Sequence, residues 1–235
     1  MICTPDPNNA ATHDERTHAL CVSRVPIFNH LPHEALAVIA GKATMRSYGS
    51  GEVIHRSGDP SEQLFIVHQG KVKVYRLSEG GKEQLVRILL PGNFIGELAL
   101  FSATDHDSYA ETMQPSMICT IQRVDIRDLL LSYPDISLHV LAELSRRLGV
   151  SEKQTAVIAT EPVTTRIALY LADLADQGDT CTFSLPMARK DLASFLGTTP
   201  ETISRKFGDF EQAGIIRQMG PRKIAILDLD ALLLV

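Results

Sequence analysis

Between Ala43 and Arg123 the chain breaks into short runs separated by Gly49, Gly51, Gly58, Gly70, Gly80, Gly81, Gly92 and Gly96. Long helices do not survive such interruption, because glycine weakens a helix interior by roughly 1 kcal/mol and supplies the turns that strands require. The runs LFIVHQGKVKVYRL and KEQLVRILLPG are strand-like, with EGGKE between them as a hairpin turn. Short strands at this spacing predict a barrel or jelly roll.

The flanks have a different texture. A polar leader occupies residues 1–17, and Leu31, Leu36, Ile39 and Ala40 then mark short helices begun by Pro26 and Pro32. After Asp125 a short helix ends near Tyr133-Pro134 and a long one begins, to be broken by Glu161-Pro162. The reading is an α+β chain with a roll and its flanking helices over 18–134, a long helix over 135–160 and a second domain over 161–235. Along the long helix Leu141, Leu144, Leu148, Ser151, Thr155 and Ile158 follow a heptad seam, which suits a two-helix dimer contact, the alternative being a helix packed on its own barrel. Ser151 and Thr155 either make its distal half easier to shift or let two helices approach closely.

In the second domain the stretch TPETISRKF begins a helix, with Thr199 placed to cap it and Pro200 in its first turn. Glu201, Ser204 and Arg205 then project from one face near its N-terminus. Glutamate can accept from cytosine N4, arginine can donate to guanine O6 and N7, and serine can serve a base edge or a phosphate. Upstream, a helix over Ala188 to Leu196 and a turn at Gly197 complete helix-turn-helix spacing; downstream, IIRQMGPRKIAIL reads as two strands of a wing. Thr199, Arg189, Lys190, Lys206, Arg217, Arg222 and Lys223 are the candidate contacts to the DNA backbone.

Charge agrees with a selective DNA binder. The whole chain carries −5, which argues against indiscriminate coating of nucleic acid. From Pro186 to Leu227, however, seven Lys and Arg face four Asp and Glu, so the local surface is mildly basic. No apolar run approaches the roughly 20 residues that span a bilayer, and the start of the chain is unlike a signal peptide, so a cytoplasmic protein without a membrane partner is expected. Cys3, Cys21, Cys119 and Cys181 are too dispersed for a secreted disulfide scaffold, and no CxxC pair suggests zinc.

Taken in order, roll, long helix and winged helix resemble the CRP/FNR family of bacterial transcription regulators over nearly the whole chain. The segment GEVIHRSGD followed by LFIVHQGKVKV is similar to that family's cyclic-nucleotide-binding-type β-roll, and GELALF at Gly96 to Phe101 to the start of its phosphate cassette. The helix ETISR is similar to the FNR branch, which reads TTGA-type inverted repeats; the cyclic-AMP-dependent branch carries arginine at the position of Pro200. The resemblance implies a homodimer on double-stranded DNA, with RNA polymerase as a further partner if the protein activates transcription.

The resemblance also frames the signal. In cyclic-AMP binders an Arg-Ser pair follows the GEL motif by about eleven residues and neutralises the phosphate, whereas Asp107 and Ser108 stand there in this sequence. A carboxylate in that place repels the anion, so the sequence speaks against cyclic AMP. Cys119 matches the central cysteine of the FNR branch and Cys21 the end of its N-terminal cysteine group, while the other N-terminal ligands are missing. A redox pair of Cys21 and Cys119 is the favoured sensor, as in the two-cysteine FNR-like proteins. The alternatives are an iron or iron–sulfur centre using Cys3, Cys21, Cys119 and a non-cysteine ligand, or inert thiols.

Two other functions compete. A small molecule other than cyclic AMP could bind the roll near Gly96, Glu97, Leu98, Asp107 and Ser108, where backbone amides remain available. A cupin-like metalloenzyme would use His55, His68 and His106, but no HxH pair with a following glutamate is present, and His55 and His68 occupy places where surface histidine is ordinary. No metal site and no catalytic residues are therefore assigned.

Overall fold

Strand β3 (Gln63–Gln69) is buried at four successive positions, Leu64 to Val67, so the sheet around it is covered on both faces. Because side chains alternate along a strand, Leu64 and Ile66 enter one apolar cluster and Phe65 and Val67 another. The computed structural model describes residues 22–97, 104–178 and 181–235.

Before β3 come helix α1 (His33–Lys42) and strands β1 (Thr44–Tyr48) and β2 (Val53–His55). After it come β4 (Val72–Leu77), β5 (Glu83–Leu89), β6 (Phe94–Ile95), β7 (Tyr109–Thr112) and β8 (Ser116–Gln122). They form two four-stranded sheets, ordered β1-β8-β3-β6 and β2-β7-β4-β5. The pairing in β1-β8-β3 is antiparallel and places Cys119 opposite Met45 on one side and Ile66 on the other. Tyr48, Phe65, Val67, Val72, Val74, Ile95 and Ile118 fill one cluster. On the other face Leu64, Ile66, Phe94, Cys119 and Ile121 join Val22, Val25, Phe28, Ile39, Ile126 and Ile136. A jelly-roll expectation drawn from short glycine-bounded runs therefore matches the observed sheets.

Helix α2 (Arg123–Ser132) follows β8, and α3 (Asp135–Thr160) is the long helix. Ile136 and Val140 on α3 are buried in the second of these clusters. The chain divides into two compact units. One comprises the residues up to Leu77 and Val86–Arg147; the other comprises Ser78–Leu85 and Leu148–Val235.

Within the second unit α4 (Val163–Gly178) precedes β9 (Thr182–Ser184), α5 (Arg189–Phe195), α6 (Pro200–Gln212), β10 (Ile216–Gln218), β11 (Lys223–Ile226) and α7 (Leu229–Leu233). The two expected wing strands are β10 and β11, and the sheet has a third member, giving the order β10-β11-β9. β9 escapes sequence reading because three residues are too short to show alternation. Thr199 caps α6 as expected, its Oγ1 accepting from the amide of Thr202 at 3.3 Å. Ile203, Phe207 and Phe210 lie at i, i+4 and i+7 and bury the inner face of α6.

The turn between α5 and α6 is held by polar side chains. A helix end leaves carbonyls without intrahelical partners. Here Phe195 O accepts from the amides of Gln84 and Gln154, both at 3.3 Å, and Leu196 O accepts from Arg166 Nη1 at 2.6 Å. Ser194 Oγ donates to Glu83 O at 2.8 Å and accepts from the amide of Leu85 at 2.7 Å. Gly197, with φ +66°, then turns the chain into α6.

One expectation fails. His55, expected at the surface, is only 5% exposed, and its ring stacks on His106 with centroids 3.7 Å apart. A register shift between Val53 and His55, where β2 meets β7, accompanies this inward placement, which a polar strand end does not announce.

Gly96 supplies a prediction. Its φ is +90°, and a Cβ there would run into the backbone carbonyl of Gln63. Such a conformation alone costs of order 1–3 kcal/mol for other residues. Gly96→Ala is expected to lower unfolding free energy in urea by at least about 2 kcal/mol. An unchanged midpoint would contradict the close passage of this residue across the start of β3.

Candidate DNA interface and sensor roll

The outward face of α6 carries the residues that the sequence singles out. Glu201, Ser204 and Arg205 are exposed, while Ile203 and Phe207 on the opposite face are buried. A face one turn wide is therefore presented next to the helix N-terminus, whose partial positive charge suits a phosphate. The Glu201 carboxyl is held below the usual carboxylate range by its own backbone amide and by the Thr199 hydroxyl. It is thus an ionised acceptor, as pairing with cytosine N4 demands.

The basic candidates fall into two kinds. Lys190, Arg217, Arg222 and Lys223 are exposed. Lys206 lies 3.4 Å from Asp209 and is partly covered. Arg189 is more constrained: it donates to Gln218 Oε1 at 2.6 Å and its guanidinium stands 5.2 Å from the Phe207 ring centroid. Gln218 in turn donates to Glu211 Oε2 at 2.8 Å through its side chain and to Glu211 Oε1 at 2.7 Å through its amide. This chain ties β10 of the wing to α5 and α6. Gln218 was not singled out, because a neutral residue in a short strand gives no signal in the charge count.

A cleft of about 390 Å³, counting its open mouth, lies in the first unit. Of the residues expected at an effector site, Gly96, Glu97, Asp107 and Ser108 line it, and Leu98 lies outside the described residues. Asp107 is ion-paired with Arg76 at the surface. Arg87 and the stacked pair His55 and His106 also line the cleft. Burial pushes the His55 imidazole down to about 4 and lowers His106 as well, so both rings are neutral near pH 7.

Glu97 is the most heavily engaged group there. Its Oε1 accepts from Arg87 Nη2 at 2.9 Å and from Arg147 Nη1 at 3.0 Å. Burial would raise its pKa, but the two guanidinium groups outweigh that and hold the carboxyl below its ordinary value. Arg147 also donates to Glu143 Oε1 at 2.7 Å and lies 4.1 Å from the Phe94 ring centroid. Arg146 grips Glu143 through two bonds of 2.8 Å, and chiefly for that reason Glu143 is pushed down to about 2. Arg147 gives no signal in the heptad pattern of α3, which consists only of apolar and small positions.

On α3 the seam residues Leu141, Leu148, Ser151 and Thr155 are exposed, and Ile158 is half-buried. Leu144 packs against the cluster that holds Ile136 and Val140. Leu138, 66% exposed, extends the apolar surface one turn beyond the expected seam. The Thr155 hydroxyl donates to Ser151 O at 2.8 Å, which spares the helix surface an unpartnered polar group.

Cys119 has no exposed surface and lies in the cluster with Val22 and Val25. Cys181 is exposed. Cys3 and Cys21 lie outside the described residues. Among the described residues no group of three or more His, Cys, Asp or Glu is placed to hold a metal ion, and no helix is long and apolar enough to cross a membrane.

Comparison with known proteins agrees with this arrangement. Residues 45–133 match the cyclic nucleotide-binding domain family and residues 165–234 the Crp-like helix-turn-helix domain family. The chain is 36% identical over 210 residues to the probable transcriptional regulator flp of Lacticaseibacillus casei, covering 89% of this chain and 95% of that protein. It is 31% identical over 183 residues to electron transport regulator A of Shewanella oneidensis, covering 76% of this chain and 72% of that protein. The solved structure of FixK2 from Bradyrhizobium japonicum superposes with a TM-score of 0.71 at 26% identity, covering 81% of this chain and 95% of that one. Two domain families in this order, and a relative 36% identical along nearly its full length, show that the chain belongs to the CRP/FNR family of DNA-binding transcription regulators, which are not enzymes.

Proposed function

We propose that this regulator acts as a homodimer, reads a TTGA-type inverted repeat through Glu201, Ser204 and Arg205, and responds to redox state through Cys21 and Cys119. The exposed α6 face supports base reading, and the exposed leucines of α3 support a dimer seam that sets two recognition helices in successive major grooves about 34 Å apart. If the protein activates transcription, RNA polymerase is its further partner.

One observation carries the redox reading. Val22, the residue after Cys21, is fully buried in the same apolar cluster as Cys119. Alternation along β8 turns Cys119 toward that cluster, whereas Ile118 belongs to the other one. A disulfide here would pass two electrons and two protons from the two thiols to an oxidant and tie Cys21, at the start of the roll's flanking helices, to β8. The Shewanella relative, named for the regulation of electron transport, is consistent with such a signal.

A second reading, gating by a small molecule in the roll, is favoured by a different observation. Buried polar atoms of His55, Ser61, Arg87 and Glu97, residues that line the same cleft, have no hydrogen-bond partner among the described residues.

Two outcomes are expected. Arg205→Ala should lose about 1–3 kcal/mol on the cognate duplex and relax preference at one base pair, whereas Lys223→Ala should mainly lower the salt dependence by about one unit of slope. Equal affinity of wild type and Arg205→Ala for every duplex, measured by fluorescence anisotropy, would remove the base-reading role. After oxidation with diamide, mass spectrometry should find a peptide linking Cys21 to Cys119, together with altered DNA affinity. Two unlinked thiols and unchanged DNA binding would end the redox reading.

A further inference from the structure

The cleft in the roll has a chemical character of its own. His55 and Ser61 are each only 5% exposed, yet His55 Nδ1 and Ser61 Oγ have no hydrogen-bond partner among the described residues. The same holds for Arg87 Nε and Glu97 Oε2. Each such group, left unmade, costs about 1–3 kcal/mol, so four on residues that line one cleft mark a place that a bound molecule could complete.

Their types define what fits. Arg87 Nε can only donate and Glu97 Oε2, ionised, can only accept; Ser61 can do either, and neutral His55 offers one nitrogen of each kind. A plain anion would meet the carboxylates of Glu97 and Asp107, and a plain cation would meet Arg87. Both penalties vanish for a ligand that carries the two signs on neighbouring atoms.

We propose that this cleft binds a small zwitterion of the α-amino acid class, its ammonium on Glu97 Oε2 and its carboxylate on Arg87 Nε and Ser61 Oγ. The proposal rests on the small-molecule reading above and names its ligand chemistry. Reaching these buried atoms requires the Arg87–Glu97 pair to yield, and Glu97 Oε1 is the same atom that holds Arg147 of α3. Occupancy is thereby felt at Arg147, the only bond in this set that leads from the cleft to the long helix.

The test is calorimetry and thermal unfolding of the full chain with each of the twenty L-amino acids. Parallel arms carry the corresponding decarboxylated amines, the corresponding 2-hydroxy acids, cyclic AMP and a set of dicarboxylates. At least one amino acid should bind at millimolar concentration or better and raise the melting temperature, while its amine and its hydroxy acid do not. Ser61→Ala and Glu97→Gln should each weaken that binding about tenfold or more; Ser61→Ala keeps the comparison valid if Glu97→Gln impairs folding. An amine or hydroxy acid that binds as well as its parent overturns the zwitterion assignment. Binding of a dicarboxylate or cyclic AMP alone overturns that assignment and leaves small-molecule gating standing, and no binding by any probe overturns both.

Discussion

Two-sided burial of the strands at the centre of the roll is the constraint on which the rest of the first unit depends. Alternation along β3, β6 and β8 sends Phe65, Ile95 and Ile118 to one cluster and Leu64, Ile66, Phe94, Cys119 and Ile121 to the other. A one-residue slip would exchange the two sets. The same register brings Cys119 to the cluster of Val22 and Val25, puts the Phe94 ring under Arg147, and delivers Glu97 to the cleft just beyond β6. The buried Cys119 thiol and the cleft are thus two consequences of one pairing pattern.

Electrostatics then link the cleft to the long helix. Glu97 is largely buried, and burial alone would favour its neutral form; Arg87 and Arg147 reverse that preference. Removing one guanidinium from such a group is costly, because the remaining buried charge loses its partner. Arg147 divides its donors between Glu97 and Glu143, so any change at the cleft's carboxylate is also a change at α3. In the second unit a comparable role falls to amides, a hydroxyl and one guanidinium, since Gln84, Gln154 and Arg166 satisfy the last carbonyls of α5 and Ser194 bonds Glu83 and Leu85. The turn into helix α6 is held by these bonds without any of them touching its exposed face.

Much of this was legible in the sequence because its physics is local. Thr199 and Pro200 announce the start of α6, Glu161-Pro162 the end of α3, and the glycine-bounded runs the strands of the roll. What was not legible depends on chain segments distant in sequence. Arg147 meets Glu97 across 50 positions, and Ser194 meets Leu85 across 109. His55 was misjudged because its inward placement onto His106, accompanied by a register shift, leaves no compositional trace. Leu144 lies on the heptad seam in sequence and against its own core in space, because apolar spacing alone does not tell a seam from a core-facing stripe.

The central claim is that α6 reads a palindrome as part of a two-fold dimer. The most direct test is selection of bound duplexes from a random-sequence pool with the reduced and the oxidised protein, followed by sequencing. The account predicts enrichment, in at least one redox state, of inverted TTGA-type half-sites with centres about 10 base pairs apart. Enrichment of a single unpaired half-site, or of no sequence in either state, would contradict it.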